Sequence, residues 1–404
     1  MTELLQPSDF GLMNLLVGVS ALGLGIAANP RLQALMRFYP DCVRGGRLGQ
    51  LRVQSGKDIT KYVAWTGLAI FALWLSASSL LAGNWYTGIL VAGLLVTDAA
   101  RTFELSLLSA ARRHKEVAII TMSDAWLRPI MAFVSISTFG PSADAAITGY
   151  ISGALLVIIG MKLTLRLEGK EEHPEMVIRP TDSDRDNISV LLRRYALPLA
   201  PLAIFGWLSG MGDRYVIGGI LGLEQAGLYA AAYGLASRPF LALFGVIETT
   251  IRPILQNAIA HQDMAAVFHV KRRFIVVTIC CATLGVLGFV ALTPVMLPLF
   301  LAEEYHVAGG LIPYIALGYG LYMVSCVFAR FCYAFDDTRA VLLLTIAGAA
   351  VGLATMVPAI YFFGLIGAAL AVPARFAVES AISYCASNRA EHRYVVLSSK
   401  GAVV

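Results

Sequence analysis

The chain has 404 residues, of which 58% are hydrophobic and only 14% charged, with a formal net charge of +5 and a mean hydropathy of +0.72. Soluble domains average about 45–50% apolar and about 25% charged, so these values argue against a soluble enzyme and for a membrane protein. No basic tract interleaved with aromatics occurs, which argues against nucleic acid as a partner.

A hydrocarbon core about 30 Å thick requires about 20 mostly apolar residues per crossing helix. About eleven runs meet this, and the expected fold is an all-α polytopic membrane protein. In chain order they lie near 10–30, 60–82, 86–108, 117–138, 145–165, 192–215, 225–250, 273–300, 308–332, 339–361 and 364–386. The first run has no positively charged segment before it, so no cleavable signal peptide is expected. Segment 31–61 carries Arg31, Arg37, Arg44, Arg47, Arg52, Lys57 and Lys61. Residues 112–115 read RRHK, and the polar segment 166–188, RLEGKEEHPEMVIRPTDSDRDNI, joins the two halves. That linker is too short for a catalytic domain. The loops at 82–86, 139–144, 301–307 and 362–364 contain no Lys or Arg. The alternation places the basic segments and the C-terminus in the cytoplasm, and Met1 outside.

Aligning Gly11 with Gly227 gives an offset of 227 − 11 = 216. Adding 216 carries the runs at 60–82 and 145–165 to 276–298 and 361–381, close to later runs, whereas 192–215 maps to before Met1. The chain therefore reads as two parallel helical repeats, a transporter architecture, with the first helix of the first repeat absent. Eleven unrelated helices stand as the alternative. The expected organisation is a five-span bundle over 1–165, a cytoplasmic linker over 166–188, a six-span bundle over 189–388 and a cytoplasmic tail over 389–404.

Ionisable residues at the centre of a span cost about 2.5–3.5 kcal/mol each on insertion scales, so they are functional candidates. Run 86–108 holds Asp98, Arg101 and Glu104, and run 117–138 holds Asp124 and Arg128. Their i,i+3 and i,i+4 spacings leave two readings open: ion pairs within one helix that lower the insertion cost, or a binding and coupling site. Arg375 and Glu379 read as an internal pair. Arg238 has no carboxylate three or four residues away, so it must face another helix, a cavity or a ligand. Its planar, permanently charged fork suits phosphate. Asp213 and Arg214 end the run at 192–215. Arg214 lies 20 residues beyond Arg194, about 30 Å along a helix, which puts the pair near the outer edge of the hydrocarbon. Either water solvates the pair there, or it stands at the mouth of a cavity. The helix is expected to exceed the membrane core and to kink at Pro198 and Pro201.

Six cysteines and six histidines show no metal-ligand spacing, so neither a metal nor a cofactor is expected. No phosphate-binding Walker motif and no nucleophile–base arrangement in a polar loop occurs, so no enzyme is expected.

The stretch GDRYVIGGILGLEQAGLYAAAYGLASRP (212–239) resembles the region around the seventh and eighth helices of polysaccharide flippases. SDFGLMNLLVGVSALGLG (8–25) followed by LQALMRFYPD (32–41) resembles their second helix and first cytoplasmic loop. The family is the Wzx-like polysaccharide export group of the multidrug/oligosaccharidyl-lipid/polysaccharide (MOP) superfamily. The resemblance implies a MATE-like fold, two bundles facing a central cationic cavity, and alternating access. It implies transport of undecaprenyl-pyrophosphate-linked oligosaccharide across the bacterial inner membrane, for O-antigen or exopolysaccharide, beside a polymerase and glycosyltransferases. Arg214 and Arg238 fall on its cavity-lining helices, with Arg101 and Arg128 as second candidates for the pyrophosphate. Asp98, Asp124 and Asp213 are the candidates for ion coupling. A drug or cation antiporter on the same fold, and a non-transporting scaffold of a polysaccharide assembly complex, are the alternatives.

Overall fold

The computed structural model describes residues 2–81, 84–167, 182–261, 263–335 and 338–399. Residues 168–181 of the expected linker and 400–404 of the expected tail lie outside them. All regular structure among the described residues is helical. The α-helices are α1 Pro7–Ala27, α2 Asn29–Arg44, α3 Leu48–Leu81, α4 Trp85–Ala110, α5 His114–Phe139, α6 Ala143–Leu167, α7 Asp182–Ala196, α8 Ala200–Ile220, α9 Leu223–Ala260, α10 Met264–Phe300, α11 Ile312–Ala334 and α12 Thr338–Ser399. Short 3-10 segments at Leu197–Leu199 and Glu303–Leu311 precede α8 and α11.

Among the described residues, nine helical stretches are long and apolar enough to cross a membrane. α4 is not among them, because Asp98, Arg101 and Glu104 fall within its 26 residues. The last stretch, Leu342–Arg393, spans 52 residues, about 78 Å of helix, which is enough for two crossings. Adding α4 and the second crossing (9 + 1 + 1) recovers the eleven apolar runs. The outer surfaces fit lipid: Phe139, Leu284 and Leu299 are each at least 70% exposed, an arrangement water would penalise.

Two helices were hidden in polar sequence. The basic segment 31–61 is not a loop but α2 followed by the start of α3. α2 buries Leu32, Leu35, Tyr39 and Cys42 on one face. α7 likewise turns Ile188 and Leu192 inward against Leu51 and Tyr39. At Leu197–Leu199, where Pro198 enters, the helix tightens to a 3-10 turn and continues as α8.

The chain divides into two compact units. The first is built mainly from residues 12–207, and the second from residues 6–11 and 208 onwards. In the first unit α3 packs on α4, α5 on α6, and α2 on both α3 and α7. α5 and α6 approach with backbones in contact. A Cβ at Gly149 would lie 2.3 Å from the Cα of Ala132, and one at Gly153 would lie 2.9 Å from the Cα of Arg128. In the second unit α11 lies between α9, α10 and α12, and Phe274, Ile315, Met323 and Phe331 form a fully buried centre. α12 is two helices joined at Gly364, whose φ of +59° favours glycine. The arms meet close to that turn: a Cβ at Gly367 would lie 1.9 Å from the carbonyl oxygen of Ala359.

Candidate functional site

In the first unit the spacing of charges on α4 and α5 resolves into a crossed quartet. Arg128 Nε donates to Asp124 Oδ1 at 2.8 Å, and Arg128 Nη2 bonds Asp98 on the neighbouring helix. Arg101 stands 3.4 Å from Asp124 and 3.6 Å from Asp98. All four side chains are 15 to 17% exposed. Each carboxylate is thus shared by two arginines, and the two cations and two anions sum to zero. The pairing runs between helices as much as within them, so reading these charges only as intrahelical pairs is incomplete. Glu104 does not complete an i,i+3 pair with Arg101. It reaches Arg52 on α3 at 3.3 Å. The glycine contact at Gly153 holds α6 against the turn of α5 that carries Arg128.

Asp213 and Arg214 lie on α8 and are 6% and 9% exposed. They are not solvated at an interface; of the two readings from sequence, that one fails. The Tyr229 hydroxyl donates to Asp213 Oδ2 at 3.0 Å, and the other carboxylate oxygen accepts the Arg214 backbone N–H at 2.9 Å. The Arg214 guanidinium sits 4.6 Å from the centroid of Tyr233. The Tyr319 hydroxyl donates to that of Tyr233 at 2.6 Å. Tyr229, Tyr233 and Tyr319 thus wall a cation within the second unit. Its Nε is buried and has no hydrogen-bond partner among the described residues. Quadrupole attraction by the Tyr233 ring offsets part of the cost of burying the charge.

Arg238 lies on α9, about 22 Å along the helix from Leu223. It is exposed and makes no ion pair or hydrogen bond among the described residues. On its face Gly234 and Gly245 border open space. Farther along the same face Thr249, Arg252 and Gln256 are exposed. Tyr233, which touches Arg214, is five residues from Arg238 and so about 140° around the helix. Arg214 and Arg238 therefore address different faces of α9.

Sequence reasoning missed other buried polar contacts. Arg375 donates to the backbone oxygen and hydroxyl of Ser209 on α8. Its expected partner Glu379 stands farther off, 3.8 Å from Nε. A Cβ at Gly348 or Gly352 would come within 3.0 Å of Glu379 or 2.9 Å of Arg375, so the GAAVG spacing was an available signal. Glu248 draws Arg330 to 2.7 Å and Arg252 to 3.6 Å. Among the described residues no three His, Cys, Asp or Glu gather as metal ligands.

The helices and embedded charges define a multi-pass membrane protein with a transporter-type fold. The chain belongs to the polysaccharide biosynthesis protein family, whose pattern matches residues 53–309. No curated protein matches the sequence significantly. Among solved structures it is similar to an inward-facing multidrug resistance MATE family transporter of the MOP superfamily. The TM-score is 0.72 and the identity 12%, over 98% of this chain and 92% of that one. It is also similar to the Vibrio cholerae MATE transporter VcmN in its bent form (TM-score 0.58, 14% identity, 95% of this chain and 87% of that). A third is a MOP superfamily transporter from Pyrococcus furiosus, described by the reversed polarity of its binding pocket (TM-score 0.59, 14% identity, 97% of this chain and 87% of that). The expected polysaccharide-export kinship and the expected MATE-like fold both hold.

Proposed function

We propose that the chain is a flippase that carries lipid-linked oligosaccharide, bound through its pyrophosphate, across the bacterial inner membrane by alternating access. The substrate follows the family: undecaprenyl pyrophosphate bearing the sugar repeat of an O-antigen or exopolysaccharide. A polymerase and glycosyltransferases act on either side of the step. The observation that carries this reading is Arg238, a charged, exposed and unpartnered guanidinium on a spanning helix inside the region matched by the family. An unpaired arginine at that depth is costly unless an anion visits it. Arg214, held against Tyr233 beside Asp213, is proposed as a second phosphate contact. Arg101 and Arg128 are proposed as further phosphate contacts, released when a carboxylate of their quartet is protonated. Asp98 and Asp124 then serve as the coupling groups, with Asp213 as a third. A cation antiporter is less well supported by the candidate carboxylates, which are engaged within the protein. Asp98 and Asp124 are each within reach of two arginines, and Asp213 is held by Tyr229.

The test is complementation of a deletion strain with Arg238→Ala and Arg238→Lys at matched expression. Arg238→Ala should fail to restore surface polysaccharide, and Arg238→Lys should restore it in part, because it keeps the charge but loses the bidentate fork. Full restoration by both variants would remove Arg238 as the phosphate contact.

A further inference from the structure

A pocket of about 400 Å³ opens in the first unit where α3, α7 and the junction of α1 with α2 meet. Its polar wall carries Arg31, Asp58, Arg193 and Arg194. Arg31 is fixed in place: its guanidinium stacks 3.3 Å from the centroid of Tyr62, and Nη1 donates to the Ala27 carbonyl at 2.7 Å. Nη1 also donates to the Ile26 carbonyl at 3.3 Å, which leaves Nε and Nη2 without a bond among the described residues. Asp58 is buried and only 3.9 Å from Arg193, whereas Arg194 has no ion-pair partner there. Among the described lining residues, three arginines against one aspartate leave +2. Beside them Val190 is 60% exposed and Leu197 75% exposed. The pocket therefore joins an uncompensated cationic wall to an apolar lip.

The second unit supplies a contrast. Its cavity of about 210 Å³ is lined by Arg252 and Arg330, but Glu248 engages both. There both arginines are partnered within the protein, whereas in the first unit's pocket only Arg193 has a carboxylate within reach among the described residues. A volume of about 400 Å³ is at the lower end of small-molecule sites, so it admits a headgroup but not an oligosaccharide.

We infer that this pocket binds the phosphate headgroup of a membrane lipid, with the tail lying over Val190 and Leu197. The site lies in the first unit, whereas Arg238 belongs to the second, and it does not depend on the transport reading. Two sources share the chemistry, a bulk anionic phospholipid and a polyprenyl phosphate. Native mass spectrometry of the full chain in detergent distinguishes them, with dioleoyl phosphatidylglycerol, undecaprenyl phosphate and inorganic phosphate as separate probes.

Each surface arginine contributes about fivefold to anionic-lipid affinity, so R193Q/R194Q should lower retention of the bound lipid about 25-fold. Leu197→Asp should lower lipid retention as well. Arg252→Gln, in the second unit's cavity, should leave it unchanged. Adducts of phosphatidylglycerol that R193Q/R194Q removes support the site and name the bulk lipid. The same result with undecaprenyl phosphate supports it and names the carrier. Binding of inorganic phosphate as tight as that of either lipid, or lipid adducts that R193Q/R194Q leaves intact, would overturn it. Both arginines are exposed and neither caps a core, so circular dichroism should report unchanged helicity for the variant.

Discussion

Arg128→Gln is the sharpest test of the quartet on α4 and α5. The substitution removes a donor that bonds Asp124 at 2.8 Å and Asp98 across the helix interface. It leaves two carboxylates, about one-sixth exposed, with only Arg101 at 3.4 and 3.6 Å. Removing one partner of a buried ion pair costs about 3–5 kcal/mol, because the other charge stays buried without compensation. The slight exposure puts the expectation at the lower end, about 3 kcal/mol. Arg101 is held more loosely, since its Nε has no hydrogen-bond partner among the described residues. Arg101→Gln should therefore cost less, about 1 kcal/mol. Adding Asp98→Asn to Arg128→Gln removes the orphaned charge and should recover most of the loss. The assay is reversible unfolding of the purified chain in mixed detergent micelles, run as a double-mutant cycle. A loss below about 1 kcal/mol for Arg128→Gln, or no recovery in the double variant, would show that water already solvates the quartet and refute the argument.

Two further outcomes follow from packing. Gly149→Leu places a side chain where even a Cβ would lie 2.3 Å from the Cα of Ala132. It should separate α5 from α6 and cost at least about 3 kcal/mol, read as a fall in unfolding midpoint, whereas the same change at Gly160, which borders open space, should cost little. Tyr229→Phe deletes the hydroxyl that bonds the buried Asp213 and should cost about 1.5–3 kcal/mol, also measured by unfolding.

The apolar runs made the spans legible because lipid demands about 20 apolar residues whatever the tertiary contacts. α2 and α7 escaped notice because they bury only one face, and their charged faces read as loop. Spacing along one helix revealed that Asp98, Arg101, Asp124 and Arg128 had partners available, but it carries no information about a neighbouring helix. The crossed bonds were therefore invisible. The depth of Asp213 and Arg214 was estimated from rise per residue alone. That estimate cannot register that Tyr229, Tyr233 and Tyr319 arrive from other helices to bury them. Arg238 was easier to read, because the absence of carboxylates three and four residues away is a property of its own helix, and among the described residues it has no partner.

The turn at Gly364 bears on how the chain is made. Tyr361, Phe362 and Phe363 precede it, and no charged residue lies between Ala359 and Gly367. The two arms of α12 already touch at Gly367. A turn this tight suits insertion of the two arms as one hairpin. The turn itself carries no ionised group to be moved across, and each arm's backbone is satisfied within its own helix. A lysine placed at Phe362 would load that turn with a charge to translocate. The burden would fall on insertion during synthesis, before any question of the stability of the finished fold arises.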